Sequence, residues 1–170
     1  MSGDFDPIAA LQALSDAGVE FVLIGGVAAR IHGSPTLTRD VDVCHARDAA
    51  NLERLSIALQ GLHAKLRGVD EDVPFQLDAR TLGAGGNFTF VTDVGDIDIL
   101  AMPAGVDGYE QLARSAVSVD LGDVVAKVCN LDDLITMKRA AARPKDLIEV
   151  EVLSALRDEI GGADQGHATH

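Results

Sequence analysis

With 170 residues, 47% of them hydrophobic, the chain is long enough for one domain with a sizeable core, and with five Phe, one Tyr and no Trp that core must be built from Val, Leu, Ile and Ala. A formal net charge of −13 argues against broad electrostatic binding to nucleic acid, which needs many cationic contacts to phosphate, but leaves room for a local basic patch or a metal-bridged nucleotide. There is no membrane span of roughly eighteen apolar residues, no signal-peptide layout in MSGDFDPIAALQAL, and neither a disulfide framework nor a zinc cluster around Cys44 and Cys129, so a reducing cytoplasm is the expected setting.

Taken in chain order, Ile8, Leu11 and Leu14 recur at helical spacing between Asp6 and Ala17, and Gly18 supplies a C-cap. Val19 to Ile24 reads as a short buried strand. Gly25-Gly26 ends it, and Val27 to His32 forms a short helix closed by Gly33. After the Ser34-Pro35-Thr36 turn, Asp40 to Cys44 alternates as a second strand. Ala49 to Leu62 is helical, with Leu52, Leu55 and Leu59 on one face. Beyond it lie a short strand at Lys65-Leu66, an acidic loop at 70–72, an extended piece near Phe75 to Leu77 and a turn at Gly83 to Gly86. Asn87 to Thr92 and Gly95 to Leu100 are strands, Tyr109 to Ala116 is a helix, and Val124 to Val128 is a further strand. Leu131 to Leu156 forms two helices broken at Pro144, and residues 161–170 are expected to form a disordered tail. The expectation is one α/β (α+β) domain over residues 1–160, with a helical C-terminal end.

Twenty of the 27 acidic residues are Asp, so an isolated Asp-x-Asp carries little information. Four such pairs occur, and their setting separates them. Asp4/Asp6 suits the cap of the first helix, and Asp70/Asp72 lies in a polar loop. Asp40/Asp42 and Asp96/Asp98 are instead embedded in apolar alternation. A strand puts both carboxylates of a pair on one face, about 7 Å apart, while the intervening Val or Ile faces the core. Two such pairs brought together cost Coulomb energy unless a cation compensates. Hard oxygen donors without Cys or His point to Mg²⁺ or Mn²⁺.

Gly25-Gly26, between a buried strand and a short helix, allows backbone N–H groups to approach a phosphate, although the same pair also suits an ordinary tight turn. The segment lacks the Lys-Ser/Thr of a P-loop. Lys138, Arg139, Arg143 and Lys145 form the dense basic segment of the chain.

Strand, Gly-Gly, short helix, thirteen intervening residues, Asp-x-Asp and a third Asp on a later strand resemble the nucleotidyltransferase superfamily that includes DNA polymerase beta. The segments LIGGVAARIHGSPTLTRDVDV, NFTFVTDVGDIDIL and DLITMKRAAARPKDLIEVEVL resemble more narrowly the AbiEii-type nucleotidyltransferases, a group associated with toxin–antitoxin and phage-abortive systems. The resemblance implies a mixed sheet flanked by helices, with C-terminal helices over the site. It implies that Asp40 and Asp42 hold Mg²⁺ (or Mn²⁺), that Asp98 rather than Asp96 completes the set, and that Gly25 and Gly26 cradle the phosphates of an NTP. Lys138 is then a triphosphate contact, with Arg143 beside it. Asp146 is open among orienting Lys138, orienting Arg143 and capping the last helix. Thr38 and Arg39 are candidates for phosphate contact or loop solvation, His32 and His45 flank the site, and Cys44 packs as a small hydrophobe. The chain departs from the family pattern at Val27, where many active members carry Ser.

The expected activity is transfer of an NMP to a hydroxyl of RNA, protein or a small molecule, with an antitoxin as partner if the chain is a toxin. The alternatives are an antibiotic-modifying nucleotidyltransferase and a catalytically degenerate module that binds nucleotide or a partner.

Overall fold

The computed structural model describes residues 3–70 and 72–167; the remainder, including Glu71 of the expected acidic loop and residues 168–170 of the expected tail, lies outside the described residues. The chain begins with α1 (Pro7–Asp16), whose N-cap Asp6 accepts the Ala9 N–H at 3.0 Å, and continues into β1 (Phe21–Ile24), buried at every position. Next come α2 (Gly25–Ile31), β2 (Asp40–His45), α3 (Ala49–Gly61), β3 (Lys65–Leu66) and α4 (Ala79–Ala84). The second half contains β4 (Asn87–Thr92), β5 (Gly95–Leu100), α5 (Tyr109–Ser115), β6 (Val117–Asp120), β7 (Val125–Val128), α6 (Leu131–Ala141) and α7 (Pro144–His167).

The described strands form one mixed sheet in the order β3-β4-β5-β2-β1-β7-β6. β2 pairs in parallel with β5, and β1 in parallel with β7, while the other neighbours are antiparallel. Val41, Val43, Ile97 and Ile99 are fully buried between the aspartates of β2 and β5. This is the alternation a half-buried strand requires: apolar residues inward, carboxylates on the other face. Helices α1 and α3 pack together, α1 also touches β2 and β5, and α2 lies against β1, β2 and α6.

Several boundaries differ from the sequence expectations, each for a local reason. Gly25 and Gly26 are the first residues of α2 rather than a turn before it. The expected extended piece near Phe75 to Leu77 joins no strand, and Phe75 packs its ring 6.0 Å from Phe88 and 6.1 Å from Phe90. The short α4 precedes the expected Gly83–Gly86 turn and includes its first residues. One buried residue (Leu82) and an Asp78 cap on the Thr81 N–H (2.8 Å) specify it, and six residues are too few to show helical periodicity. β6 is absent from the sequence expectations because an edge strand with a largely exposed VSVD sequence carries little apolar signal. α7 runs through Gly161 and Gly162 to His167; extending an existing helix adds one hydrogen bond per residue and needs no new nucleus. The break between α6 and α7 does fall where Pro144 indicates. Ala142 turns left-handed (φ 56°), and Pro144 takes the first position of α7, where no N–H is needed.

His45 ends β2 with 1% of its surface exposed, and neither ring nitrogen has a hydrogen-bond partner. Burial, helped by Arg47, pushes its pKa down from 6.5 to about 4. The unfolded chain therefore binds a proton below pH 6.5 that the folded chain refuses until about pH 4, so this residue lowers stability as pH falls through that window. His45→Leu is expected to remove on the order of 1–3 kcal/mol of the stability difference between pH 7 and pH 4.5, measured by urea unfolding at each pH.

Candidate active site

The parallel register of β2 and β5 sets Asp40 opposite Asp96 and Asp42 opposite Asp98, all four on one face of the sheet. Carboxylate oxygens of Asp40, Asp42 and Asp98 lie within 4.8 Å of one another. Asp96 stands outside this group and is held by Arg67, whose Nη1 donates to its Oδ2 at 3.0 Å. A nearby cation thus distinguishes the two carboxylates of one pair.

Burial first, then the neighbouring Asp98 and Asp40, raise Asp42 far above the usual carboxylate range, against an opposing pull from Lys138. Burial raises Asp98 as well. Asp98 Oδ1 is buried and has no hydrogen-bond partner. Three converging carboxylates, two of them resisting ionisation and one with an orphaned oxygen, are a donor set that a hard divalent cation fits.

Gly25 adjoins Asp42. Its φ is +70°, and any side chain there would overlap Asp42 Oδ2, so only glycine is compatible with this turn and this carboxylate together. Gly26 faces the segment between α2 and β2: a methyl group on it would stand 2.6 Å from Thr38 Oγ1. Thr38 in turn donates to the Asp40 backbone oxygen at 3.3 Å.

The cations come from the end of α6 and the start of α7. Lys138 Nζ lies 3.9 Å from Asp146 Oδ1, with only 17% of the lysine side chain exposed. Arg143 donates to Asp146 through Nε at 2.6 Å and Nη2 at 3.3 Å, and its backbone N–H donates to the same carboxylate at 3.2 Å. Asp146 therefore fills all three roles the sequence left open: it partners Lys138, it partners Arg143, and as the third residue of α7 it reaches back to cap the helix. Burial opposes its ionisation, but the Arg143 guanidinium and N–H hold its carboxyl below the usual range.

Two cavities meet at these residues and share Asp42, Asp98, Lys138, Arg143 and Asp146. The smaller, about 160 Å³, is polar, with Gly26, Thr38, Asp40 and Lys145 in its walls. The larger, about 400 Å³, is mainly apolar and runs between β4–β5 and α6, past Phe88, Leu100, Pro103, Leu134 and Met137.

Other candidates lie elsewhere. His32 Nε2–H donates to the Cys129 carbonyl at 2.8 Å, and His32, His45, Arg39 and Arg139 line neither cavity. Cys44 is fully buried, its thiol pushed up to about 12 by burial and by Glu110. Val27 is 9% exposed and belongs to the core, so it presents nothing to the polar cavity. Ser34 is buried against Glu149. Sequence reasoning misses Glu149, although its position three residues after Asp146 puts both on one helix face.

No family profile and no curated protein matches the chain in sequence. Its structure is similar to that of the lincosamide antibiotic adenylyltransferase LnuA, solved with lincomycin bound. That superposition covers 88% of this chain and 94% of LnuA, with a TM-score of 0.59 and 13% identity. It is also similar to a Thermotoga maritima protein assigned as a nucleotidyltransferase, over 94% of this chain and 97% of that one, with a TM-score of 0.50 and 14% identity.

The carboxylate geometry has two measurable consequences. Because the folded chain keeps a proton near Asp42 that the unfolded chain loses above pH 3.8, this site lowers stability as pH rises. Asp42→Asn is therefore expected to raise the Tm of the metal-free protein at pH 8 by about 2–6 °C, read by scanning calorimetry. Paramagnetic Mn²⁺ titration should show a site lost in Asp42→Asn and Asp98→Asn but kept in Asp96→Asn. At these levels of identity the likenesses establish the architecture, and the chain has the nucleotidyltransferase fold, a mixed sheet flanked by helices.

Proposed function

We propose that the chain is a cytoplasmic, metal-dependent nucleotidyltransferase that moves an NMP from an NTP to an acceptor hydroxyl. One observation carries this reading: Asp40, Asp42 and Asp98 converge beside Lys138 and Arg143, with the Asp98 Oδ1 orphaned in the interior. Asp40, Asp42 and Asp98 would hold Mg²⁺ or Mn²⁺, which supplies charge compensation for the attacking and leaving oxygens.

In the reaction, the acceptor oxygen bonds to the α-phosphorus and the bond to the bridging α,β-oxygen breaks. Pyrophosphate and the hydroxyl proton are released. Gly26 lines the polar cavity and Gly25 the apolar one, and neither puts a side chain there. Lys138 faces that cavity as a cation for the triphosphate, and Arg143 stands beside it, both held by Asp146. These groups are preorganised, so they need little rearrangement as charge moves toward the leaving group.

The catalytic unit would be residues 1–160. The resemblance of the LIGGVAAR, GDIDIL and RPKDL segments supports an AbiEii-type enzyme acting on RNA or protein as a toxin with an antitoxin partner. A second reading, modification of a small molecule such as an antibiotic, is favoured by the apolar cavity of about 400 Å³ beside Asp98. Among the described residues no helix is long and apolar enough to cross a membrane.

Incubation with each α-labelled NTP, Mg²⁺ and, separately, total RNA, cellular protein and lincosamide or aminoglycoside acceptors tests the reading and sorts the acceptor. One acceptor class should take label, with transfer reduced roughly a hundredfold or more in Asp42→Asn and Lys138→Ala. Transfer that survives Asp42→Asn would overturn the site. Mg²⁺-dependent NTP binding without transfer to any acceptor would make the chain a binding module.

A further inference from the structure

Glu149 is an unusual residue to find buried. It lies on the second turn of α7 with 4% of its surface exposed, and a carboxylate taken out of water must be compensated by donors. Two hydroxyls do so, both from the segment that joins α2 to β2. Ser34 Oγ donates to Oε1 at 2.8 Å and Thr36 Oγ1 donates to Oε2 at 2.6 Å, across more than a hundred residues of sequence. Ser34 is itself 4% exposed, and its Oγ also accepts the Thr36 N–H at 3.3 Å. Arg30 secures the same segment from α2 by donating to the Thr36 oxygen at 3.3 Å and the Pro35 oxygen at 3.5 Å.

This clamp fixes the path of the chain into β2. Two residues beyond Thr36, the Thr38 hydroxyl reaches the polar cavity, lying over the α-carbon of Gly26 and 3.5 Å from Asp40 Oδ1. Gly26 has no side chain and Val27 is turned into the core, so the hydroxyl available on this side of the cavity comes from the loop rather than from the glycine turn. Its position depends on the loop, and the loop depends on Glu149. One helix turn earlier on α7, Asp146 holds Lys138 and Arg143. The first two turns of α7 therefore hold two parts of the lining of one cavity, the cations through Asp146 and the hydroxyl through Glu149.

We infer that Glu149 is a positioning residue for the triphosphate: by clamping Ser34 and Thr36 it holds the Thr38 hydroxyl over Gly26, where it meets the nucleotide's phosphates. The inference rests on the nucleotidyltransferase reading. Glu149 also lines the polar cavity, but its carboxylate is an anion that only accepts hydrogen bonds, so it acts on the phosphates through the hydroxyls it holds rather than by contact.

The test is calorimetric binding, with Mg²⁺, of the four non-hydrolysable α,β-methylene NTPs to wild type, Glu149→Ala, Glu149→Gln, Thr38→Val and the Glu149→Ala/Thr38→Val double variant. Steady-state kinetics are then measured on the acceptor found active. Glu149→Ala is expected to weaken binding of the tightest analogue about tenfold and to raise the KM for NTP while kcat changes less than about threefold. Glu149→Gln should recover most of the loss, because its amide oxygen still accepts one hydroxyl and its amide N–H can donate to the other. The double variant should bind no more weakly than Thr38→Val alone, because removing the clamp matters only through the hydroxyl it positions.

Glu149→Ala binding like wild type, or losses that add in full in the double variant, would overturn the inference while leaving the nucleotidyltransferase reading intact. If Glu149→Ala fails to fold, the decision passes to Glu149→Gln and Thr36→Val. Weakened binding in Thr36→Val that disappears in the Thr38→Val background supports the clamp, and unchanged binding in Thr36→Val refutes it. A wild type that binds none of the four analogues fails the functional reading itself, and the positioning role with it.

Discussion

The arrangement depends on one energetically costly event, the convergence of Asp40, Asp42 and Asp98. Like charges within 4.8 Å in a partly buried setting repel strongly, and protonation near Asp42 relieves that repulsion only by withholding ionisation. The parallel pairing of β2 with β5 enforces the convergence. Once Asp42 is in register with Asp98, every second residue of both strands is committed to the same face. The fully buried Val41, Val43, Ile97 and Ile99 hold that register, because a slip of one position would turn them outward and the carboxylates into the core.

The surrounding polar groups are organised around this cluster. Arg67 takes Asp96 and leaves three carboxylates rather than four. Asp146 gathers Lys138 and Arg143, so two cations stand near the acidic group without closing onto it. A buried carboxylate that already binds two cations is itself well compensated, and it fixes their heads relative to the sheet. Gly25 is required because Asp42 occupies the space its side chain would need. Glu149 extends the same logic to the α2–β2 segment by exchanging the hydration of a carboxylate for two of its hydroxyls. Helices α6 and α7 are thus structural partners of the site even though most of their length lies away from it.

Much of the sheet was legible in the sequence because its strands alternate so regularly. The GDIDIL strand starts at Gly95 and ends at Leu100 as the pattern indicates, and NFTFVT likewise spans Asn87 to Thr92. The elements that escaped, α4 and β6, are short and carry a single buried side chain or none. Their existence depends on capping by Asp78 and on pairing with β7, neither of which leaves a periodic trace.

By itself the sequence determined which residues could share a face, Asp40 with Asp42 and Asp96 with Asp98. These groupings come from the period of the strand, a property of the local backbone. Arg143 lies beyond the end of α6, and Asp146 brings it together with Lys138. The sequence also determined that a short helix follows the first strand and that Pro144 separates the last two helices. Only the tertiary structure decided which pair members meet. Asp98, in register with Asp42, joins the cluster, while Asp96 pairs with Arg67, which is distant in sequence from both. Only the tertiary structure likewise showed that Asp146 serves both cations and the helix cap, and that Glu149 bonds Ser34 and Thr36 more than a hundred positions away. Such contacts depend on how sheet and helices pack, and a pattern read along one chain contains no distance between residues that the fold brings together.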